Sequence, residues 1–127
     1  MARDFSGTNQ ELVVASAVVT AYPFTIAGWF NCDQNTASQT LFAISDGTGN
    51  EVWRLIVAGA VAGDPVRFIS TTGGTGRIAV TTTGYTVGTW HHICAIGVSA
   101  TDRTVYIDGG SAGTNVTDST PVGVNKT

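Results

Sequence analysis

The segment GTWHHICAIGVSATDRTVYIDG, residues 88–109, brings both histidines of the chain and one of its two cysteines within four positions. Such a cluster is typical either of a metal or catalytic site or of two sheet strands and their turns. In an extended strand, alternate side chains share a face. One face then carries Trp90, His92, Cys94 and Ile96, and the other carries His91, Ile93, Ala95 and Gly97.

The ligand count disfavours a metal or catalytic site in this segment. A zinc site needs three or four nitrogen or sulfur ligands. His92 and Cys94 share a face, but the other cysteine, Cys32, is distant in sequence and no second histidine lies on that face. A Cys94 nucleophile is also disfavoured, because side chains two positions apart on a strand point in parallel and a reactive thiol needs an electropositive, accessible setting. The segment is therefore predicted to begin with a core strand.

Alternation and turn residues divide the rest of the chain into further short strands. The predicted strands cover residues 11–15, 24–32, 39–45, 51–59, 65–71, 77–83, 89–98 and 103–108. The strand at 24–32 carries bulk on both faces, so we expect it to be central and covered on each side. Short strands, Gly-rich turns and the lack of a helical period predict an all-β protein, an antiparallel β-sandwich or jelly roll in a single domain spanning residues 1–127.

Composition agrees with this fold class and excludes some functions. Charged residues make up 12% of the 127 residues, and a net charge of −3 provides no positive field for nucleic acid. The sequence shows neither a signal-peptide core nor the roughly 20 apolar residues of a membrane span, so we expect a soluble protein made without an export signal. Cys32 and Cys94 lie in apolar strand patterns, and free buried thiols are favoured over a disulfide.

Four stretches, taken in order, resemble one family. They are DFSGTNQELVV (4–14), PFTIAGWFNCD (23–33), GTWHHICAIG (88–97) and VYIDG (105–109). Their order resembles that of laminin-G-like domains, within the concanavalin-A-like lectin and glucanase group, over about residues 4–113. The resemblance implies a jelly-roll sandwich of two curved antiparallel sheets. It also implies structural roles for Trp29, Trp90, His92 and Tyr106.

The chain departs from the family pattern near its C-terminal end. Domains of this kind close with one or two further strands near the first strand, and residues 114–127 are too weakly patterned to predict them. The closing strands are then irregular, come from a neighbouring chain, or belong to a longer natural protein. Because an unpaired sheet edge favours association, we expect a homo-oligomer, a trimer rather than a dimer.

Carboxylates bear on enzyme activity, because the resembled group includes glucanases. Glycosidases need two carboxyl groups flanking the bond that they cleave. The chain has only two glutamates, Glu11 and Glu51, each at the edge of a predicted strand and in no acidic cluster. We therefore expect no hydrolase activity, no catalytic residue and no cofactor.

A calcium site and a sugar site are the remaining candidates. The loop SDGTGNE offers oxygen donors at Asp46, Thr48, Asn50 and Glu51, and Asp108 precedes a glycine in a second turn. The same residue types form hairpin turns, which is the preferred interpretation. Sugar binding would use an exposed aromatic side chain, with Trp53, Tyr22 and Tyr85 as candidates. A tryptophan in a sandwich is more often in the core.

Three function classes remain. The first is a non-enzymatic virion component, because short laminin-G-like proteins of this style resemble tailed-bacteriophage proteins that decorate capsids or sit on tails. Such a protein would assemble in the host cytoplasm, dock on a viral capsid or tail protein and on copies of itself, and touch host-surface glycans weakly. The second is a carbohydrate-binding module of an adhesin or receptor-binding protein. The third, a hydrolase, lacks the acids that it would need.

Overall fold

The computed structural model describes residues 12–14, 16 and 18–125. Eight strands make up most of this part. They are β1 (Phe24–Asn31), β2 (Ser38–Ser45), β3 (Val52–Ala58), β4 (Pro65–Thr72), β5 (Thr75–Gly84), β6 (Trp90–Ser99), β7 (Asp102–Ile107) and β8 (Gly110–Asn115). No helix in the described ranges is long and apolar enough to cross a membrane.

The strands form two four-stranded antiparallel sheets. The first sheet has the order β1-β6-β7-β8, and the second has the order β2-β3-β4-β5. The second sheet is a meander of consecutive strands, whereas β1 in the first sheet pairs with a strand that follows the whole second sheet in sequence. This architecture confirms the predicted all-β antiparallel sandwich. Seven predicted strands have a counterpart whose ends differ by one or two residues.

Among the described strands, β1 lies at an edge of the first sheet. The prediction that this strand is central was therefore wrong. Only one of its faces is buried, since Phe24 and Phe30 are 8% and 7% exposed whereas Trp29 is 67% exposed. Bulk on both faces led to the wrong prediction, because periodicity does not distinguish a buried phenylalanine from an exposed tryptophan. The central strand is β6, between β1 and β7, as the sequence predicts for a core strand.

The core fills the space between the two sheets. Its largest fully buried side chain is Trp53 on β3. The indole packs edge-on against Tyr22 and Phe24, with ring centroids 5.2 and 5.0 Å apart, and Phe24 packs edge-on against Phe68 of β4. Edge-to-face aromatic pairs add about 1 kcal/mol each to the free energy gained from area burial. The two sheets are thus joined chiefly by aromatic contacts.

β8 is a strand that the sequence pattern does not predict. Its residues, GSAGTN, show no apolar alternation. β8 is held by pairing with β7 and by a very close approach to β5, because a Cβ at Gly113 would lie 1.7 Å from the carbonyl oxygen of Val80. The Asn115 side chain also donates a 3.0 Å hydrogen bond to the carbonyl of Ile78 on β5. The edges of the two sheets therefore meet here.

The segment 116–125 contains no strand but packs against the sandwich. Ser119 and Val124 are each 3% exposed. The Ser119 amide donates to the carbonyl of Ala100 (3.1 Å), and the Asn125 amide donates to the carbonyl of Ser45 (3.0 Å). The segment 116–125 is therefore irregular, and it covers part of the core without forming a ladder.

A buried polar cluster connects this segment to the second sheet; we define it as Tyr22, Trp53, Ser70, Thr72 and Ser119. The Trp53 indole donates to the Tyr22 hydroxyl (2.9 Å), which donates to the Ser119 carbonyl (3.0 Å). The Ser119 hydroxyl lies 2.8 Å from Ser70 Oγ and 3.0 Å from Thr72 Oγ1. Buried polar groups need such partners, so the segment is fixed in position by hydrogen bonds as well as by packing.

Arg103 of β7 makes a similar connection. It is 1% exposed, and its guanidinium donates to the carbonyls of Ala100 and Thr117 and to the side chain of Asn115. The described residues offer it no carboxylate within salt-bridge distance. The buried charge is therefore stabilised by neutral acceptors on the turn before β7 and on the chain after β8.

The strand predicted at residues 11–15 is absent from residues 12–14, the part of it that the structure describes. Leu12, Val13 and Val14 lie in no strand, and all three are exposed. Glu11 and Ala15 fall outside the described residues. A short apolar run with β-branched residues was therefore not sufficient evidence for a strand.

Candidate functional site

The outer face of the first sheet carries an exposed group of aromatic side chains. In β1 the inner positions are taken by Phe24 and Phe30, so Trp29 points outward. In β6 the buried positions are His91, Ile93, Ala95 and Gly97, so Trp90 and His92 point outward. Tyr106 of β7 follows the same parity. We call Trp29, Trp90, His92 and Tyr106 the aromatic face.

The strand register sets the geometry of this face. Trp29 is directly opposite His92, and the two rings meet edge-on with centroids 5.3 Å apart. Trp90 is opposite Asn31, which makes the two tryptophans diagonal neighbours across the β1–β6 pair. Diagonal neighbours lie about 7–8 Å apart, within reach of large side chains. The two indoles thus form adjacent parts of one surface.

This exposure corrects the predicted core roles of two residues. Trp29 and Trp90 are 67% and 52% exposed, while His92 and Tyr106 are half-buried on the same outer face. The physical reason is strand parity, since each inner position is already filled by a neighbour in sequence. A single exposed apolar side chain is ordinary, whereas neighbouring exposed aromatic side chains on one face are typical of a contact surface.

The buried His91 contacts the Asp108 carboxylate through a side-chain hydrogen bond. Nδ1 of His91 lies 2.7 Å from Asp108 Oδ2, and the Thr86 amide donates to Nε2 at 2.9 Å. An Nε2 that accepts requires the proton on Nδ1, so His91 is neutral and donates to Asp108. The His91 hydrogen bond is the main cause that holds the pKa of Asp108 below its usual value. Because both ring nitrogens are occupied, His91 joins loops and does not act as a base.

The candidate calcium ligands Asp46 and Glu51 already accept hydrogen bonds from other groups of the protein. Asp46 accepts hydrogen bonds from Thr48 and Gly49 inside its own turn. These bonds, and chiefly the one from the Thr48 hydroxyl, lower the pKa of the Asp46 carboxyl. The Glu51 carboxylate accepts from the amides of Gly73 (2.7 Å) and Val122 (3.0 Å). These contacts agree with the turn interpretation of the loop. No group of three metal-ligating side chains occurs in the ranges that the structure covers.

Two other proposed metal ligands, Asn50 and Asp108, also contact groups of the protein itself. The carbonyl of Asn50 accepts from the Gly74 amide, and Asp108 binds the His91 ring and the His92 amide. Glu11 lies outside the described residues, so the structure leaves its role open. Glu51 is engaged by two backbone amides.

The three predicted sugar-binding side chains do not form an exposed platform. Trp53 is fully buried and Tyr85 is 5% exposed, which corrects both predictions. Tyr22 is half-buried, and its hydroxyl belongs to the polar cluster. The pKa of Tyr85 is raised to about 12, mainly because the hydroxyl is buried and secondly because Cys32 is close to it. The hydroxyl therefore stays protonated, and it donates a 3.0 Å hydrogen bond to the Gln34 carbonyl. The binding candidates chosen from sequence are core residues.

The cysteines lie on opposite faces of the first sheet. Cys32 is buried, and its thiol donates to the side chain of Gln39. Cys94 is half-buried and sits on the outer face beside Ala27. His92 and Cys94 therefore point away from Cys32, and the three do not converge on one site.

The chain matches a known protein family over most of its length. Residues 6–127 match the laminin G-type family described as the concanavalin A-like lectin/glucanases superfamily. The chain belongs to this superfamily. A search of curated proteins gives no match.

Solved structures of similar fold agree with the superfamily assignment. A native heptameric SAP-like pentraxin from Limulus polyphemus superimposes with a TM-score of 0.61 at 13% identity, covering 90% of this chain and 54% of the pentraxin. The carbohydrate-binding module CBM66 from Bacillus subtilis superimposes with a TM-score of 0.52 at 18% identity, covering 87% of this chain and 78% of the module. At these identities the likeness concerns the fold, and the chain spans about half of the pentraxin.

Within the superfamily fold, sequence reasoning named the four residues of the aromatic face but assigned them to the structural core, whereas all four lie on the outer face of the first sheet. The side chains of β6 do not by themselves indicate the correct side. The buried face holds His91, Ile93, Ala95 and Gly97, and the outer face holds the bulkier Trp90, Cys94 and Ile96. Hydrophobicity alone favours the wrong face, whereas the partner that His91 finds in Asp108 favours the right one.

Proposed function

We propose that the chain is a non-enzymatic carbohydrate-binding module that uses the aromatic face as its binding surface. The observation that carries the proposal is the exposure of Trp29 and Trp90 as diagonal neighbours on one sheet. A sugar ring has an apolar C–H face that packs on an indole, and hydroxyl groups at its edge that hydrogen-bond to polar neighbours. His92 and Asn31, which lie beside the two tryptophans, supply such polar neighbours.

The contacts of the acidic residues favour binding over catalysis. A glycosidase requires two carboxyl groups on either side of the scissile bond. Asp108, at the end of β7 nearest the aromatic face, already accepts from His91 and from the His92 amide. Glu51 is held by two amides away from that face. The superfamily and the name of the similar carbohydrate-binding module also support a binding role.

The test is a glycan array followed by titration calorimetry on every glycan that binds. Trp29→Ala should weaken binding about tenfold, the effect of losing one stacked aromatic contact, and Trp29→Phe should lie between that variant and the wild type. Val80→Ala is the control, because Val80 is 37% exposed on the second sheet. Since Trp29 is exposed, the unfolding free energy of Trp29→Ala should change by no more than about 0.5 kcal/mol. Equal affinities of wild type and Trp29→Ala would rule out the aromatic face as the binding site.

A second candidate follows from the same exposed surface. Tryptophan and tyrosine are enriched at protein interfaces, so the aromatic face also suits docking on a protein lattice. On this proposal the chain is a capsid decoration or tail-associated protein of a tailed bacteriophage, located in the virion and associating with copies of itself. Wild-type protein should then sediment with particles, and Trp29→Ala should stay in the supernatant. Sedimentation of both proteins, or of neither, would contradict this docking mode.

A further inference from the structure

The positive charges of the described chain avoid the aromatic face. Arg54 and Arg67 occupy outward positions of β3 and β4, on the second sheet. Arg103 is buried, and Arg77 shares the parity of the buried Ala79 on β5. No arginine or lysine in the described ranges lies on the outer face of the first sheet.

A negative charge, in contrast, lies beside the aromatic face. Asp108 directly follows β7 next to His92, whose backbone amide donates to its carboxylate, and the Asp108 side chain is 52% exposed. Asp102 lies at the opposite end of β7, paired with Ser99 and far along the sheet from Trp29 and Trp90. The potential beside Asp108 is therefore negative, and it repels anions that approach within a Debye length, about 8–10 Å in ordinary buffers.

The two indoles also set a minimum length for a ligand. Trp29 and Trp90 are diagonal neighbours, and each indole offers an area comparable to one pyranose ring. The His92 ring meets Trp29 edge-on and lies two residues from Trp90 on β6. A single sugar covers one indole, whereas two linked sugars cover both.

We infer, resting on the proposed function, that the aromatic face selects uncharged glycans of at least two linked sugar rings and rejects glycans that carry carboxylate or sulfate groups. A ligand without charge loses nothing to Asp108 and needs no cation. An anionic ligand would meet Asp108, and the residues that the structure describes place no arginine or lysine on the face to offset it. Each anionic group near the face should weaken binding about fivefold at low salt, less as salt is added.

The experiment uses matched probes on the intact chain. Neutral hexasaccharides of glucose, mannose, galactose and N-acetylglucosamine are titrated beside their monosaccharides, and the neutral hexamer that binds is then compared with its sulfated form. The added variant is Ala27→Arg, which places a cation two residues from Trp29 on the same face. Val80→Arg places the same charge on the second sheet as its control.

The expected results are as follows. Neutral hexamers bind, their monosaccharides bind at least about tenfold more weakly, and sulfation weakens binding further. Ala27→Arg restores affinity for the sulfated hexamer with little change for the neutral one, and Val80→Arg does neither. Sulfated hexamer bound as tightly as the neutral one, and lost in Trp29→Ala, would overturn the inference while leaving the proposed function intact. Absence of any Trp29-dependent glycan binding would overturn both.

Discussion

Replacing Ser119 by alanine tests whether the irregular segment 116–125 is a stable part of the sandwich. The Ser119 hydroxyl is buried and touches Ser70 Oγ (2.8 Å), Thr72 Oγ1 (3.0 Å) and the Ser70 carbonyl (3.2 Å). Alanine leaves Ser70 with its contact to Tyr22 but removes the only side-chain partner that the Thr72 hydroxyl has in the described residues.

The expected loss is about 2 kcal/mol. A buried hydrogen bond contributes roughly 0.5–1.5 kcal/mol, and a partner left unsatisfied costs about 1–3 kcal/mol. With a urea m-value of about 2 kcal/mol per molar, the midpoint should fall by about 1 M. Urea titration followed by tryptophan fluorescence measures this directly, because the buried Trp53 belongs to the same cluster.

The matched control is Thr120→Ala, since Thr120 is the exposed neighbour of Ser119 and its loss should change stability by less than about 0.5 kcal/mol. The double variant Ser70→Ala with Ser119→Ala should cost about 1 kcal/mol less than the sum of the single variants, because it removes both partners of one hydrogen bond. Equal midpoints for Ser119→Ala and Thr120→Ala would refute the packing of this segment on the second sheet.

Two further predictions concern β8 and its turn. Gly113→Ala should destabilise the protein by about 3 kcal/mol or more, because the added Cβ would lie 1.7 Å from the Val80 carbonyl oxygen. Gly110→Ala is the control and should change stability little, because nothing lies within 4 Å of its Cβ position. Equal melting temperatures of the two variants would contradict the close approach of β8 to β5. The lowered pKa of Asp108 means that its contribution to stability is present above the unfolded-state pKa of about 3.9 and is lost as pH falls through the folded value. Asp108→Asn, which keeps the turn geometry, should therefore be less stable than wild type at neutral pH, with a difference that shrinks towards pH 3; parallel acid curves would contradict the His91 contact.

Local patterns were sufficient to predict most strands. The loop Asp46–Asn50 joins β2 and β3 as expected, because Asp46 accepts from Thr48 and Gly49 and both Gly47 and Gly49 have positive φ. Strand alternation and turn chemistry are local properties, so a single sequence contains them. The order of the strands in the first sheet is not local, and the sequence did not predict it: β1 was expected in the centre and lies at the edge of the described sheet.

Contacts between distant segments account for the errors. β8 lacks apolar alternation and exists because Gly113 lets β8 approach β5, a condition visible only when both strands are in place. Trp29 and Trp90 look like core residues in isolation. Their exposure is decided by Phe30 and His91, which fill the inner positions beside them.

The pairing of β1 with β6 also determines when the domain can finish folding during synthesis. Phe24 pairs with Gly97, so β1 leaves the ribosome well before its partner, while β2 to β5 can pair with one another as they emerge. Until β6 follows, the backbone of β1 has no strand to pair with. Nascent chains of this protein are therefore exposed to chaperones or to premature association for the time that about seventy residues take to be translated, several seconds or more.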